Sequence, residues 1–328
     1  MKEGFSDQEM ERFRQLQQQT TPPAGLEDKI IEQLRSQQLI HKKTLGMKIS
    51  SYRLVTILIA VSIIAYFIYY SMSTIQLDCE HCDCDPIPGW EQITSPNPVV
   101  LLGELHGTKE APAFAARMVC QARKSDYPVS LFLELNKTEQ GMVDQYLASD
   151  GSAIAKGKLL QSGSWGRDYQ DGRNSAAMFD LIEYIRKLKQ AGHAVELVLM
   201  DLESAPDRDI EMANNILQTI EKDSSRFFVA LMGNIHNQIN EGSGRVGDLV
   251  LRALGPNQVI SLNQLYGAGT AWVCLASEGC GAHKLGGRDG QTRGIILEPL
   301  NSFGEYHGGY GVGPINASLP AKGEAVRD

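Results

Sequence analysis

The chain has 328 residues, of which 42% are hydrophobic and 21% are charged, a composition typical of a globular protein and not of a disordered one. Its 31 basic and 39 acidic residues give a net charge of −8, which argues against a protein that neutralises the phosphates of nucleic acids. A mean hydropathy of −0.22 excludes a multi-span transporter, and six cysteines are too few for a small disulfide-rich scaffold.

The charge is distributed unevenly along the chain. Residues 1–53 carry nine basic and seven acidic side chains, a net charge of +2, which leaves −10 for the remainder. Residues 1–50 are polar and rich in glutamine, and apolar residues recur there at helical spacing at Leu26, Ile30, Ile31 and Leu34. A short amphipathic helix of this kind predicts either a cytoplasmic partner for residues 1–45 or a weakly ordered segment next to a membrane.

Residues 51–72 are predicted to cross the lipid bilayer once. The stretch Leu54–Tyr70 contains no charge and approaches the roughly 20 residues that span a bilayer core, although a buried core helix would also be apolar. Basic residues precede the stretch and acidic residues follow it, so the positive-inside rule places the N-terminus in the cytoplasm. The preceding region is too long for a cleaved signal peptide. We therefore predict a single-pass anchor in the plasma (inner) membrane, with the main domain periplasmic or otherwise extracytoplasmic.

Residues 73–97 form a predicted tether with three cysteines and a histidine, which are Cys79, His81, Cys82 and Cys84. Such a cluster can bind zinc or iron, but cysteines in an oxidising compartment more often form disulfides. Farther along the chain, Cys274 and Cys280 are spaced for a small disulfide-closed loop. Cys120 is then left to pair with one of the three tether cysteines, and the sequence does not say which.

Residues 98–328 alternate between apolar runs and amphipathic stretches. Seven runs are predicted as strands, at Val99–Leu102, Val129–Leu135, Ala194–Met200, Phe227–Met232, Val259–Leu262, Thr270–Leu275 and Gly294–Leu297. The clearest helix is Ser175–Ala191, which has one apolar face and is followed by Gly192. Strands that alternate with helices predict an α/β domain with a mostly parallel central sheet flanked by helices. Glycine in the last strands predicts an antiparallel end.

Polar side chains follow the first four predicted strands. In open α/β sheets, ligands bind outside the carboxyl ends of the strands, so these positions are the first candidates for function. A single acid at a strand end is usually a cap or a packing partner, but four successive strands that end this way are harder to explain by capping. The candidates in chain order are Glu104 and His106, then Glu134, then Asp201, then Asn234 and His236.

The first and fourth of these strand ends share the pattern Gly-x-x-His. Gly103 and Gly233 allow close approach of the backbone, and a polar residue stands two positions before each histidine. In extended chain, residues i and i+2 point to the same side, so Asn234 and His236 are expected to face one pocket, as are Glu104 and His106.

Two chemistries are compatible with this set. His106, His236 and Glu104 can bind a divalent metal that keeps a position open for water. Without metal, a carboxylate can orient His106 as a general base, with Glu134 beside it. The simpler alternative is that both histidines are satisfied within a polar loop cluster.

Three further charged residues are supporting candidates. Glu110 lies just after the first histidine, Arg173 precedes the Ser175 helix, and Arg208 opens the helix that follows Asp201. Either arginine can bind an anionic group of a substrate. Surface pairing with neighbouring acids is the simpler interpretation of both.

The segments GELHGTKE and GNIH, together with Glu134, resemble the superfamily that joins erythromycin esterases, TIKI/TraB-type proteins and ChaN-like haem-binding proteins. The resemblance covers roughly residues 98–320 and implies an α/β fold with a pocket at the strand ends. For the erythromycin esterases it implies that Glu104, His106 and Glu134 belong to the active site. The spacing departs from that family, since those enzymes usually have one more residue between the Glu and the His.

The other two branches imply cofactors. Resemblance to TIKI-like proteins implies a metal held by the paired Gly-x-x-His motifs, here Gly103 to His106 and Gly233 to His236. ChaN-like proteins bind haem through tyrosine, and no tyrosine of this chain falls on that motif. Tyr306 and Tyr310, in a glycine-rich stretch, are the remaining candidates for a haem ligand.

The sequence lacks the Gly-x-Ser-x-Gly and Walker A patterns, so a serine hydrolase elbow and a P-loop are excluded. It therefore predicts a membrane-anchored, extracytoplasmic hydrolase that cleaves an ester or amide bond in a small-molecule or peptide substrate. Two alternatives stay open, which are a haem- or metal-binding module without turnover and the sensor domain of a single-pass signalling protein.

Overall fold

The computed structural model describes residues 84–93, 98–161, 163–167, 169–290, 292–297 and 305–324. The predicted cytoplasmic tail, the membrane-spanning segment and the first part of the tether, with Cys79 and Cys82, lie outside these ranges. Within them, no helix combines the length and the apolar character that crossing a bilayer requires.

The described ranges contain nine strands and seven helices. The strands are β1 Val99–Glu104, β2 Val129–Asn136, β3 Val195–Asp201, β4 Phe227–Gly233, β5 Val259–Gly267, β6 Gly269–Leu275, β7 Gly279–Leu285, β8 Gly294–Ile296 and β9 Gly308–Pro314. The helices are α1 Glu110–Lys124, α2 Gln140–Leu147, α3 Ala153–Leu160, α4 Ala176–Gln190, α5 Arg208–Lys222, α6 Val246–Leu254 and α7 Ala321–Glu324.

Seven of the strands form one mixed sheet in the order β3-β2-β4-β1-β5-β9-β8. The first six are mutually parallel, and the short edge strand β8 runs antiparallel to β9. The mostly parallel sheet with a glycine-rich antiparallel end is therefore confirmed. The predicted strand Thr270–Leu275 is an exception, because it pairs with β7 in a separate antiparallel hairpin and not in the main sheet.

Helices cover the sheet on both faces, because successive residues of a buried parallel strand point to opposite sides. In β1, Val100 and Leu102 pack in a cluster with α1, α2, α3 and α4. Val99 and Leu101 pack in a second cluster with α5 and α6. The polar ends of the strands are thus held at the edge of a sheet whose two faces are both closed by apolar packing.

The clearest predicted helix is confirmed as α4, together with the residues that begin and end it. The Ser175 hydroxyl accepts a hydrogen bond from the Met178 amide at the N-terminus, and Gly192 has a φ of +85° after the C-terminus. Both disulfide expectations are also confirmed. Cys274 pairs with Cys280 across the β6–β7 hairpin, and Cys84 is the tether cysteine that pairs with Cys120 of α1.

Candidate functional site

Four neighbouring strands bring the candidate residues to one edge of the sheet. The order β3-β2-β4-β1 places the ends of these strands side by side, although they are distant in sequence. Asp201 ends β3, Glu134 lies near the end of β2, Gly233 ends β4 and Glu104 ends β1. Hydrogen bonds across the sheet continue to this edge, since the Asn234 amide donates to the Glu104 carbonyl.

His106 lies between two buried carboxylates. Its Nδ1 is 2.9 Å from Glu104 Oε1, its Nε2 is 3.5 Å from Glu134 Oε2, and 24% of its side chain is exposed. Burial alone would lower the pKa of His106, but the charge of Glu134 and the hydrogen bond to Glu104 outweigh it and raise the pKa to about 9. His106 is therefore protonated at neutral pH.

Glu134 is the carboxylate that both histidines share. Its Oε2 accepts a hydrogen bond of 2.7 Å from the Gly233 amide, and its Oε1 lies 2.9 Å from Arg208 Nη2 and 3.7 Å from His236 Nε2. Burial would raise the pKa of Glu134, but His106, His236 and the Gly233 amide together hold it below its usual value. The group is therefore an anion despite being buried.

Two arginines join Glu134 to Asp201, which is fully buried. Arg208 contacts Asp201 through Nε at 2.9 Å and Nη2 at 2.6 Å, and Arg173 Nη1 lies 3.1 Å from Asp201 and 3.7 Å from Glu134. Glu203 is a further partner of Arg173. The interpretation as a surface pair is therefore wrong for Arg208, because its partners are the buried acids of the strand ends. Arg173 pairs most closely with its sequence neighbour Asp171, at 2.7 Å, as that interpretation expected, and it reaches Asp201 as well.

His236 is held by a residue that the sequence did not indicate. Its Nδ1 lies 2.8 Å from Oδ1 of Asp209, in the first turn of α5. The strand-alternation argument for Asn234 and His236 does not apply, because the chain turns directly after Gly233. The His236 amide donates to the Gly233 carbonyl at 3.0 Å within this turn.

Gly103 and Gly233 allow the loop after β1 and the loop after β4 to pack closely against each other. A Cβ on Gly233 would lie 2.9 Å from His106 Nε2, in the loop after β1. A Cβ on Gly103 would lie 3.0 Å from the Asn234 Cα, in the loop after β4. These positions accept only glycine without a shift, since real Cβ atoms keep longer distances.

Other candidates serve the backbone around the site. The Glu110 carboxylate accepts hydrogen bonds from the backbone and side-chain amides of Asn316, and the Asn234 carbonyl accepts from the Tyr306 hydroxyl at 2.7 Å. Tyr310 donates in the same way to the Gly103 carbonyl at 3.1 Å. The hydroxyls of both tyrosines considered as haem ligands are thus bound to the ends of β1 and β4.

The loop that carries His106 is supported by residues that sequence reasoning did not single out. The buried Gln264 of β5 accepts from the Leu105 amide at 2.8 Å, and the Trp272 amide of the β6–β7 hairpin donates to the Gly107 carbonyl at 2.9 Å. Gly107 has a φ of +74°, and its Cα faces Trp272 so closely that a Cβ would meet the Trp272 carbonyl.

The predicted metal ligands do not form a ready metal site. In the part of the chain that the structure describes, no three His, Cys, Asp or Glu side chains are arranged to hold a metal ion. Glu104, His106 and His236 are engaged instead in the contacts given above. We therefore derive no step of the chemistry through a metal.

No protein-family model matches this sequence, and no curated protein is similar to it. Among solved structures, the chain is similar to a protein from Bacillus cereus, with a TM-score of 0.54 and 11% identity over 71% of this chain and 92% of that one. This likeness supports the α/β fold alone.

Two further solved structures are similar to the chain at lower TM-scores. One is a mutant of the erythromycin esterase EreC in its open conformation, with a TM-score of 0.46 and 10% identity over 65% of this chain and 81% of that one. The other is haem-binding ChaN of Campylobacter jejuni, with a TM-score of 0.33 and 14% identity over 54% of this chain and 84% of that one.

Proposed function

We propose that the α/β domain is a hydrolase that cleaves an ester or amide bond, with Glu104, His106, Glu134 and His236 at its centre. One observation carries this proposal. The buried Glu134 carboxylate lies within 4 Å of both histidines, at 3.5 and 3.7 Å, at the sheet edge where α/β proteins bind ligands. The motif resemblance to erythromycin esterases favours the same class of reaction.

His106 acts as the general acid. With a pKa of about 9 it carries a proton at neutral pH, and it therefore donates to a leaving group and does not take a proton from water. Glu104 holds the ring through Nδ1, which leaves Nε2 on the side of Glu134. This role replaces the general-base role that the sequence suggested for His106.

His236 acts as the general base. Its Nδ1 is occupied by a hydrogen bond, and its Nε2 lies 3.7 Å from Glu134, beyond hydrogen-bond distance. A water molecule next to Nε2 can give up its proton there while its oxygen attacks the substrate carbonyl. Two histidines in different environments thus take the two proton-transfer roles.

Arg208 stabilises the oxygen that becomes negative. Its Nε and Nη2 contact Asp201 and Glu134, whereas Nη1 meets no acceptor among the described residues. Since 32% of the side chain is exposed, Nη1 can reach a bound substrate. A fixed cation that faces the forming oxyanion is a common and large contribution to acyl-transfer catalysis.

In these roles, one water molecule is added across the ester or amide bond. The water oxygen bonds to the carbonyl carbon, its proton moves to His236 Nε2, and the electron pair of the C=O bond moves to the oxygen beside Arg208. When that oxygen reforms the carbonyl, the C–O or C–N bond to the leaving group breaks. The leaving group takes the proton from His106, and the product is a carboxylic acid.

We further propose that the domain works outside the cytoplasm, anchored by the predicted span at residues 51–72. The disulfides Cys84–Cys120 and Cys274–Cys280 support this location, because structural disulfides persist in oxidising compartments.

The test is a kinetic comparison of the purified full-length chain with two histidine variants, using p-nitrophenyl esters and p-nitroanilides of several acyl chain lengths. We expect His106→Gln to lower kcat/KM by about 100-fold or more, the usual contribution of an acid–base group. His283→Gln is the matched control, because His283 lies on β7 beside Glu278. Equal activity of His106→Gln and wild type would contradict the proposal.

A further inference from the structure

Asp209 makes three contacts that a helix-opening acid does not need. Its Oδ1 lies 2.8 Å from His236 Nδ1 and accepts from the Val246 amide at 3.1 Å, and its Oδ2 accepts from Arg245 Nη1 at 3.2 Å. The N-terminus of α5 is already capped, since Asp207 accepts from the Ile210 amide. The Asp209 carboxylate therefore binds the site and the start of α6, and it does not cap its own helix.

The backbone of His236 is fixed independently on both sides. Its amide donates to the Gly233 carbonyl and its carbonyl accepts from the Gly247 amide, each at 3.0 Å. With the main chain held in this way, the rotation of the ring is the remaining freedom of this side chain. The hydrogen bond to Asp209 fixes this rotation and leaves Nε2 on the side of Glu134.

The contact also selects a tautomer. A carboxylate accepts hydrogen bonds and cannot donate them, so a neutral His236 bound to Asp209 carries its proton on Nδ1 and a lone pair on Nε2. Burial would raise the pKa of Asp209, but the hydrogen bonds that its carboxylate accepts from His236 and from the Val246 amide hold it below its usual value. Asp209 is therefore ionised at the pH of the reaction.

We propose that Asp209 is a positioning residue that holds His236 in the Nδ1-protonated tautomer, so that Nε2 is available to accept a proton. Without Asp209, an Nδ1 proton loses its acceptor, so this contact no longer favours one tautomer over the other. The tautomer follows from the contacts alone, whereas its use in catalysis rests on the proposed hydrolase function. The charged groups that face the ring are Asp209 and Glu134, with Arg245 behind Asp209.

The direct test is nitrogen NMR of the full-length chain labelled in its seven histidines, with the His236 resonances assigned by a His236→Gln variant. At pH 8 we expect His236 Nδ1 to give the resonance of a protonated nitrogen in the wild type. In Asp209→Ala we expect both tautomers to be populated, with part of that proton on Nε2. Asp248→Ala is the matched control, because Asp248 is an equally buried acid of α6 that pairs with Arg252.

An unchanged His236 tautomer in Asp209→Ala would overturn the proposal, whether or not any substrate has been found. If that variant does not fold, Asp209→Asn, which keeps the shape but not the charge, replaces it in the NMR and kinetic measurements. We expect kcat/KM to fall by about 100-fold or more, because an amide can donate to or accept from imidazole and no longer selects one tautomer. A wild-type tautomer of His236 in Asp209→Asn together with a lower kcat/KM would count against positioning and indicate a structural role only.

Discussion

The two Gly-x-x-His loops are nearly the same in sequence and differ in how they hold their histidines. His106 is bound by Glu104, two residues before it in the same loop. His236 is bound by Asp209, which comes from helix α5, 27 residues away. The loop after β1 therefore contains its own acid, whereas the loop after β4 depends on a neighbouring helix for one.

The difference between the loops shows how one short motif can place two histidines in different electrostatic environments. His106 has one carboxylate at each ring nitrogen, and both act to keep it charged. His236 has a carboxylate within hydrogen-bond distance at Nδ1 alone. A histidine that is held charged suits proton donation, and one with a free nitrogen suits proton acceptance. The environment of each loop, and not the motif, is the basis for the roles that we propose.

The largest expected effect follows from removing Glu134, the acid that the two loops share. Glu134→Ala removes the anion that Arg208 and His106 share and leaves each of them with its other carboxylate, Asp201 or Glu104. We expect the free energy of unfolding to fall by about 3 kcal/mol or more, the lower end of the usual cost of removing one partner of a buried ion pair. Urea unfolding at pH 7 measures this change.

The control for Glu134 is Glu203→Ala. Glu203 contacts Arg173 at the rim of the same cluster, but its side chain is 36% exposed. We expect a loss below about 1 kcal/mol, because water screens pairs at the surface. Equal losses of stability in the two variants would mean that the contacts of Glu134 with the two loops do not stabilise the fold.

A second prediction concerns the pH dependence of stability. His106 titrates at about 9 in the fold and near 6.5 when unfolded, so its contribution is complete below pH 6.5 and is lost as the pH rises through 9. The loss is roughly 3 kcal/mol. Urea unfolding between pH 6 and pH 10 should show this decrease in the free energy of unfolding in the wild type and in His236→Gln, but not in His106→Gln. The same decrease in His106→Gln would mean that other groups cause the pH dependence of stability.

The smallest expected effects come from replacing the glycines of the two Gly-x-x-His motifs by alanine. Gly233→Ala, although it lies in the β4 motif, should displace His106, and Gly103→Ala should displace the loop of His236. We expect each to lower the free energy of unfolding by about 1 to 2 kcal/mol, the usual range for overpacking. Histidine NMR of both variants checks which ring is disturbed. A disturbance of the His236 ring by Gly233→Ala would contradict the prediction that each glycine affects the loop of the other motif.

Much of the site could be predicted because it lies at the ends of apolar strands. The strands β1, β2 and β4 are almost entirely buried and β3 is buried at its carboxyl end, and the polar residues at the end of each predicted run were candidates for function on that ground alone. Glu104, His106, Glu134, Asp201 and His236 were found in this way. The packing of the sheet brings them together without any information beyond the strand order.

Other features needed the three-dimensional structure. Acids are favourable in the first turn of any helix, so Asp209 looked like an ordinary helix-opening residue until His236 was seen beside it. Arg173 and Arg208 looked like surface residues because their buried partners lie on strands far away in sequence. The strand β9 was missed because four of its seven residues are glycine, which gives no apolar alternation.

The position of β4 has a consequence for how the centre is built. It follows β1 and β2 in sequence but lies between them in the sheet, in the order β2-β4-β1. Glu104 and His106 already contact each other within one loop, whereas Glu134 stands on the far side of β4. The Gly233 amide at the end of β4 donates to Glu134, so this late segment of the chain ties together two strands that precede it in sequence. The centre that we propose therefore depends on β4 being in place between β2 and β1.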